Sequence, residues 1–389
     1  MAHVLIGFAE ALPAPEVVFS LRQAGHKVSA FARRADLPIR ELLSQLHIVP
    51  APEDSIAQCV SAIEALMMGE DAPDYVLPMD DAALWLSASL SSATRIAGAT
   101  GASVTAALDK SIQVKHARAA GLSVPPTWEA YELPLSLPDL PYPVIAKPAL
   151  AVHGRDGKLG KDDAVYLPDR QAATDFQAGR GPKSDPFLIQ PLIRGQGEGV
   201  FGFVGPDGVV GWSGHRRLRM MNPHGSGSSA CVSFYPDEAL CARVERFLKA
   251  LNWKGAFMVE LLRDANGTAW FMELNGRMWG SMALARRQGL EYPAWAVAQA
   301  MNADFAPVAP EPVHRPMTQR HLGRDLLHLL FTLRGPKSEF HKADWPSLWR
   351  SLPGVLKPAR GRAFYNFDPD FPRYFLKDAA WTVKKALKR

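Results

Sequence analysis

The sequence has few cysteines and no long apolar run, and each absence excludes a class of protein. Its 389 residues include only Cys59, Cys231 and Cys241, without a CxxC pair, so we expect neither a disulfide framework nor a thiolate zinc site. No apolar segment approaches the ~20 residues of a membrane-spanning helix. The first residues enter an apolar segment without a basic leader, so we expect no secretory signal and a cytoplasmic protein.

Several catalytic and binding motifs are also missing. No GxGxxG follows the first apolar segment, so a dinucleotide fingerprint is absent. The sequence has no GxSxG and no cysteine in a paired histidine motif, so we expect no covalent nucleophile. No recognised nucleic-acid-binding motif is present, so nucleic acid is not an expected partner. With 47% hydrophobic and 21% charged residues, the composition is that of an ordinary globular protein.

The first hundred residues alternate short apolar strands with segments of helical spacing. This alternation predicts a parallel, doubly wound sheet, and with it a Rossmann-like domain over residues 1–105. Asp80 and Asp81 follow the apolar strand 74–77. They either border a ligand crevice at the carboxyl ends of the strands or begin a helix.

One lysine lies within an otherwise apolar segment. Residues 142–148 are typical of a buried strand, and Lys147 stands near its end. A buried lysine needs an anionic partner, which a phosphate group supplies. The alternative is that Lys147 reaches solvent at the end of the strand.

Two glutamates are predicted to meet on one face of a hairpin. Asn266-Gly267 favours a two-residue turn, which would place Glu260 directly opposite Glu273 and Asn275 further along the same face. Like charges in this position repel each other unless something neutralises them. Carboxylate and amide oxygens suit a hard cation such as Mg²⁺, which usually binds phosphate as well. The alternative is an exposed strand face with two solvated glutamates.

Five segments together resemble the ATP-grasp superfamily in order and spacing, over about residues 105–300. They are Asp109-Lys110, residues 121–127, residues 144–148, residues 190–195, and Val259-Glu260 with residues 272–277. Within the superfamily the chain looks most similar to carboxylate–amine ligases and to carbamoyl phosphate synthase-like ATP-grasp proteins. One departure is Pro191, which stands in the hinge segment where many members have an acidic residue.

The resemblance implies a fold of the α/β and α+β classes. The Rossmann-like pre-ATP-grasp domain would be followed by a two-lobed ATP-grasp core. Its first lobe would span residues 106–186, and its second lobe, with the Mg²⁺ site, residues 187–303. Residues 304–389 would form a basic, aromatic-rich helical extension.

The resemblance also implies which residues bind ATP. They are Lys110, Lys147, Gln190, Leu192, Ile193 and Glu198. The two lysines would contact the phosphates, and the hinge segment 190–193 would bind the adenine edge through its backbone. Glu198 would bind the ribose, a role for which Gln196 competes. Residues 153–161 would form a flap over the phosphates.

The metal and the chemistry are assigned by the same resemblance. Glu260, Glu273 and Asn275 would hold Mg²⁺, with Mn²⁺ as an alternative ion. Arg277 would steady the transferring phosphoryl group and act in catalysis together with Lys147.

Three arginines adjoin a glycine- and serine-rich segment. Arg216, Arg217 and Arg219 precede residues 225–229, which are expected to form a loop. Because guanidinium groups bind carboxylate and phosphate through paired hydrogen bonds, we expect substrate contacts here. The alternative is a basic surface patch.

The implied reaction joins a small-molecule carboxylate to an amine, or alternatively to a thiol, through an acyl phosphate formed from Mg-ATP. Two alternatives stay open. One is an ATP-dependent kinase or carbamate-forming enzyme on the same fold. The other is a non-catalytic, nucleotide-binding module associated with a surface.

The C-terminal part of the chain is basic. From Arg315 onward there are sixteen lysines and arginines against six acidic residues. Residues 373–389 have the spacing of an amphipathic helix, which either packs on the body of the protein or contacts an anionic membrane or another polyanion. The second alternative would place the protein at the inner membrane surface. The oligomeric state stays open.

Overall fold

The computed structural model describes residues 1–91, 93–129, 140–180, 184–223, 225–336, 342, 345–358 and 361–387. Residues 388–389, which belong to the predicted C-terminal helix, lie outside the described residues. Within the described part of the chain, the strands form three sheets and one short hairpin. No helix in these ranges has an apolar stretch long enough to cross a membrane.

The first part of the chain is a parallel α/β layer, as its alternating pattern predicts. Its elements are β1 (His3–Gly7), α1 (Ala14–Gln23), β2 (Lys27–Ala32), a 3-10 helix (Pro38–Leu42), β3 (Gln45–Ile48), α2 (Ile56–Met67), β4 (Tyr75–Pro78), α3 (Asp81–Ser87) and α4 (Ala102–Leu108). The strand order is β3-β2-β1-β4. Leu5 and Ile6 of β1 enter separate apolar cores, because both faces of this parallel sheet are covered.

The second sheet is antiparallel and forms the first lobe of the core. The elements of this lobe are α5 (Lys110–Ala119), β5 (Trp128–Glu129), β6 (Val144–Pro148), β7 (His153–Arg155), β8 (Lys158–Gly160), β9 (Val165–Leu167), α6 (Arg170–Ala178) and β10 (Phe187–Pro191). The sheet order is β5-β10-β6-β9, while β7 and β8 pair only with each other.

The strand pairing differs from the predicted boundary between the two lobes. The expected boundary between residues 186 and 187 would separate β10 from its neighbour β6. These strands are hydrogen-bonded along their length, from Phe187 opposite Pro148 to Pro191 opposite Val144. By this criterion the first lobe ends after Pro191.

The third sheet has six strands and forms the second lobe. The elements of this lobe are β11 (Gln196–Gly205), β12 (Gly208–Asn222), β13 (Ser226–Phe234), α7 (Glu238–Ala250), β14 (Gly255–Arg263), β15 (Ala269–Asn275), α8 (Met282–Arg286) and α9 (Tyr292–Met301). The order is β15-β14-β11-β12-β13-β16, where β16 (Thr318–Arg320) comes from the C-terminal extension. Residues 226–229, expected to be loop, begin β13.

The turn between β14 and β15 differs from the predicted two-residue turn. Arg263 pairs with Ala269, so the connection has five residues, and the Asp264 carboxylate accepts hydrogen bonds from the Asn266 and Thr268 amides. This acceptor favours a wider turn over the tight Asn-Gly type. A bulge at Met272 then restores the predicted register.

The C-terminal extension packs on the body of the protein. Its helices are α10 (Leu322–Arg334), α11 (Leu348–Leu356), a 3-10 turn (Gly361–Ala363) and α12 (Tyr374–Leu387). In α12, Tyr374 and Ala379 are buried, and the Tyr374 ring packs edge-on against Phe19 of α1 at 6.0 Å. This packing supports the first alternative for the amphipathic helix, and contact with a membrane stays a prediction.

Candidate active site

Glu260 and Glu273 lie directly opposite each other on β14 and β15, as predicted. Each carboxylate has a cationic neighbour. An Arg217 Nη2 atom lies 2.8 Å from Glu260 Oε1, and Lys110 Nζ lies 3.8 Å from Glu273 Oε2. The two side chains are 21% and 35% exposed, so the pair is accessible from a cavity. This geometry excludes the alternative of two freely solvated glutamates.

Burial shapes the electrostatics of this pair. Loss of hydration raises the pKa of Glu260, Arg217 opposes the rise, and the charge of Glu273 adds to it. Lys147 lies close by, with its Nζ atom 3.6 Å from the Met272 sulfur. Burial lowers the pKa of Lys147, while the negative charges of Glu273 and Glu260 oppose that change. An anionic ligand between these groups would favour the charged lysine.

Asn275 and Arg277 continue from the acidic pair. Asn275 is buried, and its Nδ2 atom lies 3.5 Å from Glu273 Oε1. Arg277 donates from Nε to Asp81 Oδ1 over 3.1 Å. Burial acts to lower the pKa of Arg277, but the charges of Asp81 and Glu273 outweigh it and raise that pKa. The arginine is therefore fixed as a cation beside the carboxylates.

A cavity of about 360 Å³ opens on one side of the acidic pair. We call it the lysine cavity, because Lys110, Lys147 and Lys161 line it. Its walls come from the first lobe and from the Glu260–Glu273 face of the second lobe. Arg277 and three further carboxylates, Asp81, Asp162 and Asp163, also line it. Lysine ammonium groups opposite carboxylate oxygens can bind a polyphosphate together with a divalent ion.

The hairpin β7–β8 borders the lysine cavity. Residues 161–163, which directly follow β8, line the cavity. His153 of β7 lies between two carboxylates, with ring nitrogens 3.7 Å from Asp162 and 3.4 Å from Asp185. The predicted flap is therefore a short hairpin whose base is held by polar contacts.

A second cavity, of about 340 Å³, lies on the other side of the acidic pair. We call it the arginine cavity, because Arg217, Arg277 and Arg324 line it. Glu260, Glu273, Asn275 and Arg277 border both cavities and form their shared wall. Two compartments of similar size therefore meet at the predicted metal ligands.

His215 borders the arginine cavity as a neutral group. Burial and the neighbouring Arg217 lower its pKa to about 3. Its Nδ1 atom is hydrogen-bonded to the Ser281 hydroxyl at 2.7 Å. We therefore assign it no acid–base role near neutral pH.

The structure places Glu198 away from both cavities. Its side chain is completely buried, and its two carboxylate oxygens accept from Arg216 and Arg263, each over 2.7 Å. A ribose contact would have to replace one of these ion pairs. Gln196, the competing candidate, is exposed and donates to the Arg217 carbonyl oxygen over 3.0 Å. Glu198 and Arg216 therefore bind each other in this structure, and their expected roles in ribose and substrate binding stay predictions.

Only one arginine of the predicted substrate cluster reaches the site. Arg217 lines the arginine cavity, whereas Arg219 binds Asp325 of α10 through Nε and an Nη atom, at 2.9 and 2.7 Å. Asp325 is fully buried and Arg219 nearly so. Arg219 therefore joins the six-stranded sheet to the C-terminal extension and is not placed for substrate.

The hinge residues lie at the end of β10. Gln190 is buried and donates to the Thr127 hydroxyl over 3.0 Å, and the Leu192 amide donates to the Pro143 carbonyl oxygen over 3.1 Å. Gln190, Leu192 and Ile193 border neither the lysine cavity nor the arginine cavity. Their contact with adenine remains a prediction.

The donor set fits a hard divalent ion. Glu260, Glu273 and Asn275 supply oxygen atoms on one sheet face, which suits Mg²⁺ better than zinc. His215 and Cys231 also line the arginine cavity, where His215 is hydrogen-bonded to the Ser281 hydroxyl and Cys231 lies 3.0 Å from the Ser228 hydroxyl. Basic neighbours already balance part of the charge. We therefore expect an ion that shares its coordination with phosphate oxygens.

Two further residues contribute to the site, and the sequence assigns neither of them to ATP, metal or substrate binding. Asp81 begins α3 and fixes Arg277, although Asp80 supplies the helix cap by accepting from the Ala83 amide over 2.8 Å. Both alternatives for this acidic dipeptide are therefore partly correct. Arg324 comes from the C-terminal extension, and its position in the sequence gives no sign of contact with the second lobe.

A parallel α/β layer followed by two antiparallel sheets with a charged cleft is the ATP-grasp fold, and comparison with solved structures confirms it. The chain is similar to L-amino acid ligase from Bacillus licheniformis, with a TM-score of 0.63 and 16% identity over 83% of this chain and 80% of that one. It is also similar to N5-carboxyaminoimidazole synthetase from Staphylococcus aureus, with a TM-score of 0.61 and 14% identity over 84% and 83%.

A third similar structure is the biotin carboxylase domain of 2-oxoglutarate carboxylase from Hydrogenobacter thermophilus. Its TM-score is 0.63, with 12% identity over 82% of this chain and 74% of that chain. No family model matches the sequence, and no curated protein matches it either. At these identities the comparison establishes the fold.

Proposed function

We propose that the protein is a Mg-ATP-dependent ligase that activates a carboxylate as an acyl phosphate and joins it to an amine. The observation that carries this proposal is the shared wall of Glu260, Glu273, Asn275 and Arg277 between two cavities. One cavity has lysines suited to a polyphosphate, and the other has arginines suited to a carboxylate.

ATP is proposed to occupy the lysine cavity. Lys110 and Lys147 would contact its phosphates, the hinge 190–193 would bind adenine, and Gln196 or Glu198 would bind the ribose. The biotin carboxylase domain from Hydrogenobacter thermophilus, to which this chain is similar, was solved in complex with MgADP and bicarbonate. That complex supports a nucleotide and Mg²⁺ in the corresponding cleft of this fold.

The magnesium ligands would be Glu260, Glu273 and Asn275. When bound, the ion neutralises negative charge on the phosphate oxygens. Arg217 and Lys110 already lie against the two glutamates and would keep their carboxylates oriented. Mn²⁺ has a similar preference for oxygen ligands and is expected to substitute.

The residues of the wall would position two successive transfers. A substrate carboxylate oxygen attacks the terminal phosphorus of ATP, the bond to ADP breaks, and an acyl phosphate forms. An amine then attacks the carbonyl carbon, and inorganic phosphate leaves as the amide forms. Arg277, held by Asp81, lies where it can stabilise charge on the transferring phosphoryl group.

The central test is ADP release with panels of carboxylates and amines. We expect release that depends on both substrates in the wild type. Glu260→Gln and Glu273→Gln should each lower kcat by about a hundredfold, because charge stabilisation in the transition state is lost. Glu238→Gln, at an exposed position in the first turn of α7, is the matched control and should retain full activity.

Other outcomes identify the alternative functions. ADP release with the carboxylate alone, at a rate that no amine changes, would indicate a kinase or a carbamate-type enzyme. Undiminished activity in the Glu260→Gln/Glu273→Gln double variant would overturn the metal assignment. Nucleotide binding without ADP release on any pair would favour a non-catalytic module.

A further inference from the structure

A third cavity, of about 510 Å³, lies between the first domain and the C-terminal extension. We call it the outer cavity. Its apolar wall consists of Leu12, Leu37, Ile39, Leu327, Phe331 and Trp381. A cavity of this size and character can enclose most of a small organic molecule.

The outer cavity adjoins the arginine cavity. Ala11, Leu12 and Arg324 border both of them. A ligand at Arg324 would therefore contact both compartments. The C-terminal extension supplies Arg324 and much of the outer cavity, so this region forms part of the site.

Arg324 is the cation at the junction that has no carboxylate neighbour. Of the other arginines in the arginine cavity, Arg217 is paired with Glu260, and Arg277 with Asp81. Arg324 donates to the Ser228 carbonyl oxygen over 3.1 Å, and no acidic group among the described residues lies within 4.0 Å of its guanidinium. A ligand carboxylate would supply the direct ion pair that Arg324 lacks.

The two acidic groups of the outer cavity accept hydrogen bonds from donors other than Arg324. Burial lowers the pKa of Arg324, and the charge of Asp378 opposes that change from a distance. Asp378 lies 2.9 Å from the His321 ring and accepts from Asn366 over 2.8 Å. Glu10 accepts from the Arg33 amide through Oε1, while its buried Oε2 atom has no donor. Glu10 would repel a second carboxylate at that end and leaves an acceptor for one hydroxyl or amide group of a ligand.

We propose that the acid substrate is a carboxylic acid with an extended apolar or aromatic body. Its carboxylate lies at Arg324, facing the wall of Glu260 and Glu273, and its body fills the outer cavity. This inference rests on the proposed ligase function, because it names the class of acid that the enzyme would activate.

The test is calorimetric binding of straight-chain acids from acetate to octanoate, using the full chain saturated with Mg²⁺ and a non-hydrolysable ATP analogue. Each added methylene should strengthen binding by about fourfold until the outer cavity is filled. Equal affinity along the series would overturn the proposal. A gain in affinity per added methylene for alkylamines, but not for the acids, would also overturn it.

Two alanines of α12 provide a matched pair of variants. Ala386 lines the outer cavity, whereas Ala380 is exposed on the same helix. Ala386→Trp should remove the higher affinity for long acids and leave the affinity for acetate unchanged. Ala380→Trp should change neither affinity. If Ala386→Trp retains the wild-type slope, the body of the acid does not lie in the outer cavity and the proposal fails.

Arg324→Gln separates recognition of the carboxylate from recognition of the apolar body. This variant should lower the affinity for every acid by a common factor of about ten or more. The gain in affinity per added methylene should stay as in the wild type. Unchanged affinity would contradict the role of Arg324.

A turnover measurement distinguishes this proposal from the ligase proposal. Hydroxylamine, a small nucleophile, would trap the acyl phosphate as a hydroxamate with release of phosphate. Hydroxamate formation without preference for long acids would overturn the substrate class alone. Acids that bind with the expected slope but never give hydroxamate would overturn the ligase function and leave the binding site supported.

Discussion

The charged residues of the shared wall are held by partners from other elements. Glu260 on β14 lies against Arg217 on β12, and Arg277 after β15 lies against Asp81 on α3. Each pair joins elements that are distant in sequence, so the positions of these groups depend on the complete fold. This arrangement orients the groups before a ligand binds, which favours catalysis.

Variants of Glu198 test the ribose assignment at the scale of a single residue. Glu198→Gln should lower the free energy of unfolding by about 2 kcal/mol, because the buried charge between Arg216 and Arg263 is lost. The affinity for Mg-ATP should stay within about twofold of the wild type. Urea unfolding and calorimetry measure the two quantities.

Gln196→Ala is the matched variant for the ribose assignment. Since Gln196 is exposed, we expect little change in stability and a several-fold weaker affinity for Mg-ATP. The reverse result, in which Glu198→Gln weakens nucleotide binding and spares stability, would identify Glu198 as the ribose ligand.

The raised pKa of Asp80 should make the stability of the protein depend on pH. Burial raises this pKa to about 6, although the Ala83 amide and Arg33 oppose the rise. The folded protein therefore binds this proton more tightly than the unfolded chain, and the wild type loses stability as the pH rises from about 4 to about 6. Asp80→Asn keeps a helix-capping side chain and removes the titration.

Urea unfolding at pH 4.5 and pH 7 measures this effect. The stability of Asp80→Asn relative to the wild type should be greater at pH 7 than at pH 4.5. A difference that is the same at both pH values would show that Asp80 has an ordinary pKa in the folded state.

At the scale of elements, the β14–β15 hairpin shows what the sequence could and could not predict. Alternation along the two strands puts Glu260, Glu273 and Asn275 on one face, and the structure confirms their pairing. The turn has five residues because Asp264 accepts hydrogen bonds within it. Glu260 and Glu273 are still opposite each other because the bulge at Met272 compensates for the longer turn. The sequence pattern shows neither the bulge nor the longer turn.

Gly276 fixes the distance between β15 and α4. A Cβ atom at this position would lie 2.4 Å from the Ala107 Cβ atom and 2.7 Å from the Trp253 ring. Gly276→Ala should lower the free energy of unfolding by about 1–3 kcal/mol. It should also reduce turnover, because the displaced backbone carries Asn275 and Arg277.

Ala107→Gly in the same chain tests this explanation. It removes the closest contact, so the double variant should recover part of the turnover lost in Gly276→Ala. Full activity of Gly276→Ala itself would show that the approach of β15 to α4 does not position the site.

At the scale of the whole molecule, the C-terminal extension is joined to the sheet that carries the site. Its strand β16 pairs with β13, and Asp325 of α10 binds Arg219 of β12. The basic composition of this region indicated an external partner as readily as packing on the body. Contacts between residues about a hundred positions apart have no local pattern, so the sequence alone could not distinguish these alternatives.

The order of segments predicted the ATP-grasp fold, since local periodicity and short motifs are properties of neighbouring residues. Lys147 was identifiable because a charge inside an apolar strand needs a partner. The different contacts of Arg216, Arg217 and Arg219 could not be predicted from the sequence. They depend on which face of a long, irregularly paired strand each side chain occupies. The two cavities and their shared wall required the three-dimensional structure.

The central claim is that Glu260 and Glu273 hold the divalent ion of Mg-ATP at the shared wall. Calorimetric titration of ATP into the wild type and the Glu260→Gln/Glu273→Gln variant, with and without Mg²⁺, tests it most directly. We predict that Mg²⁺ strengthens ATP binding to the wild type, and that the folded variant binds ATP equally well with and without the ion. The same strengthening by Mg²⁺ in both proteins would contradict the account.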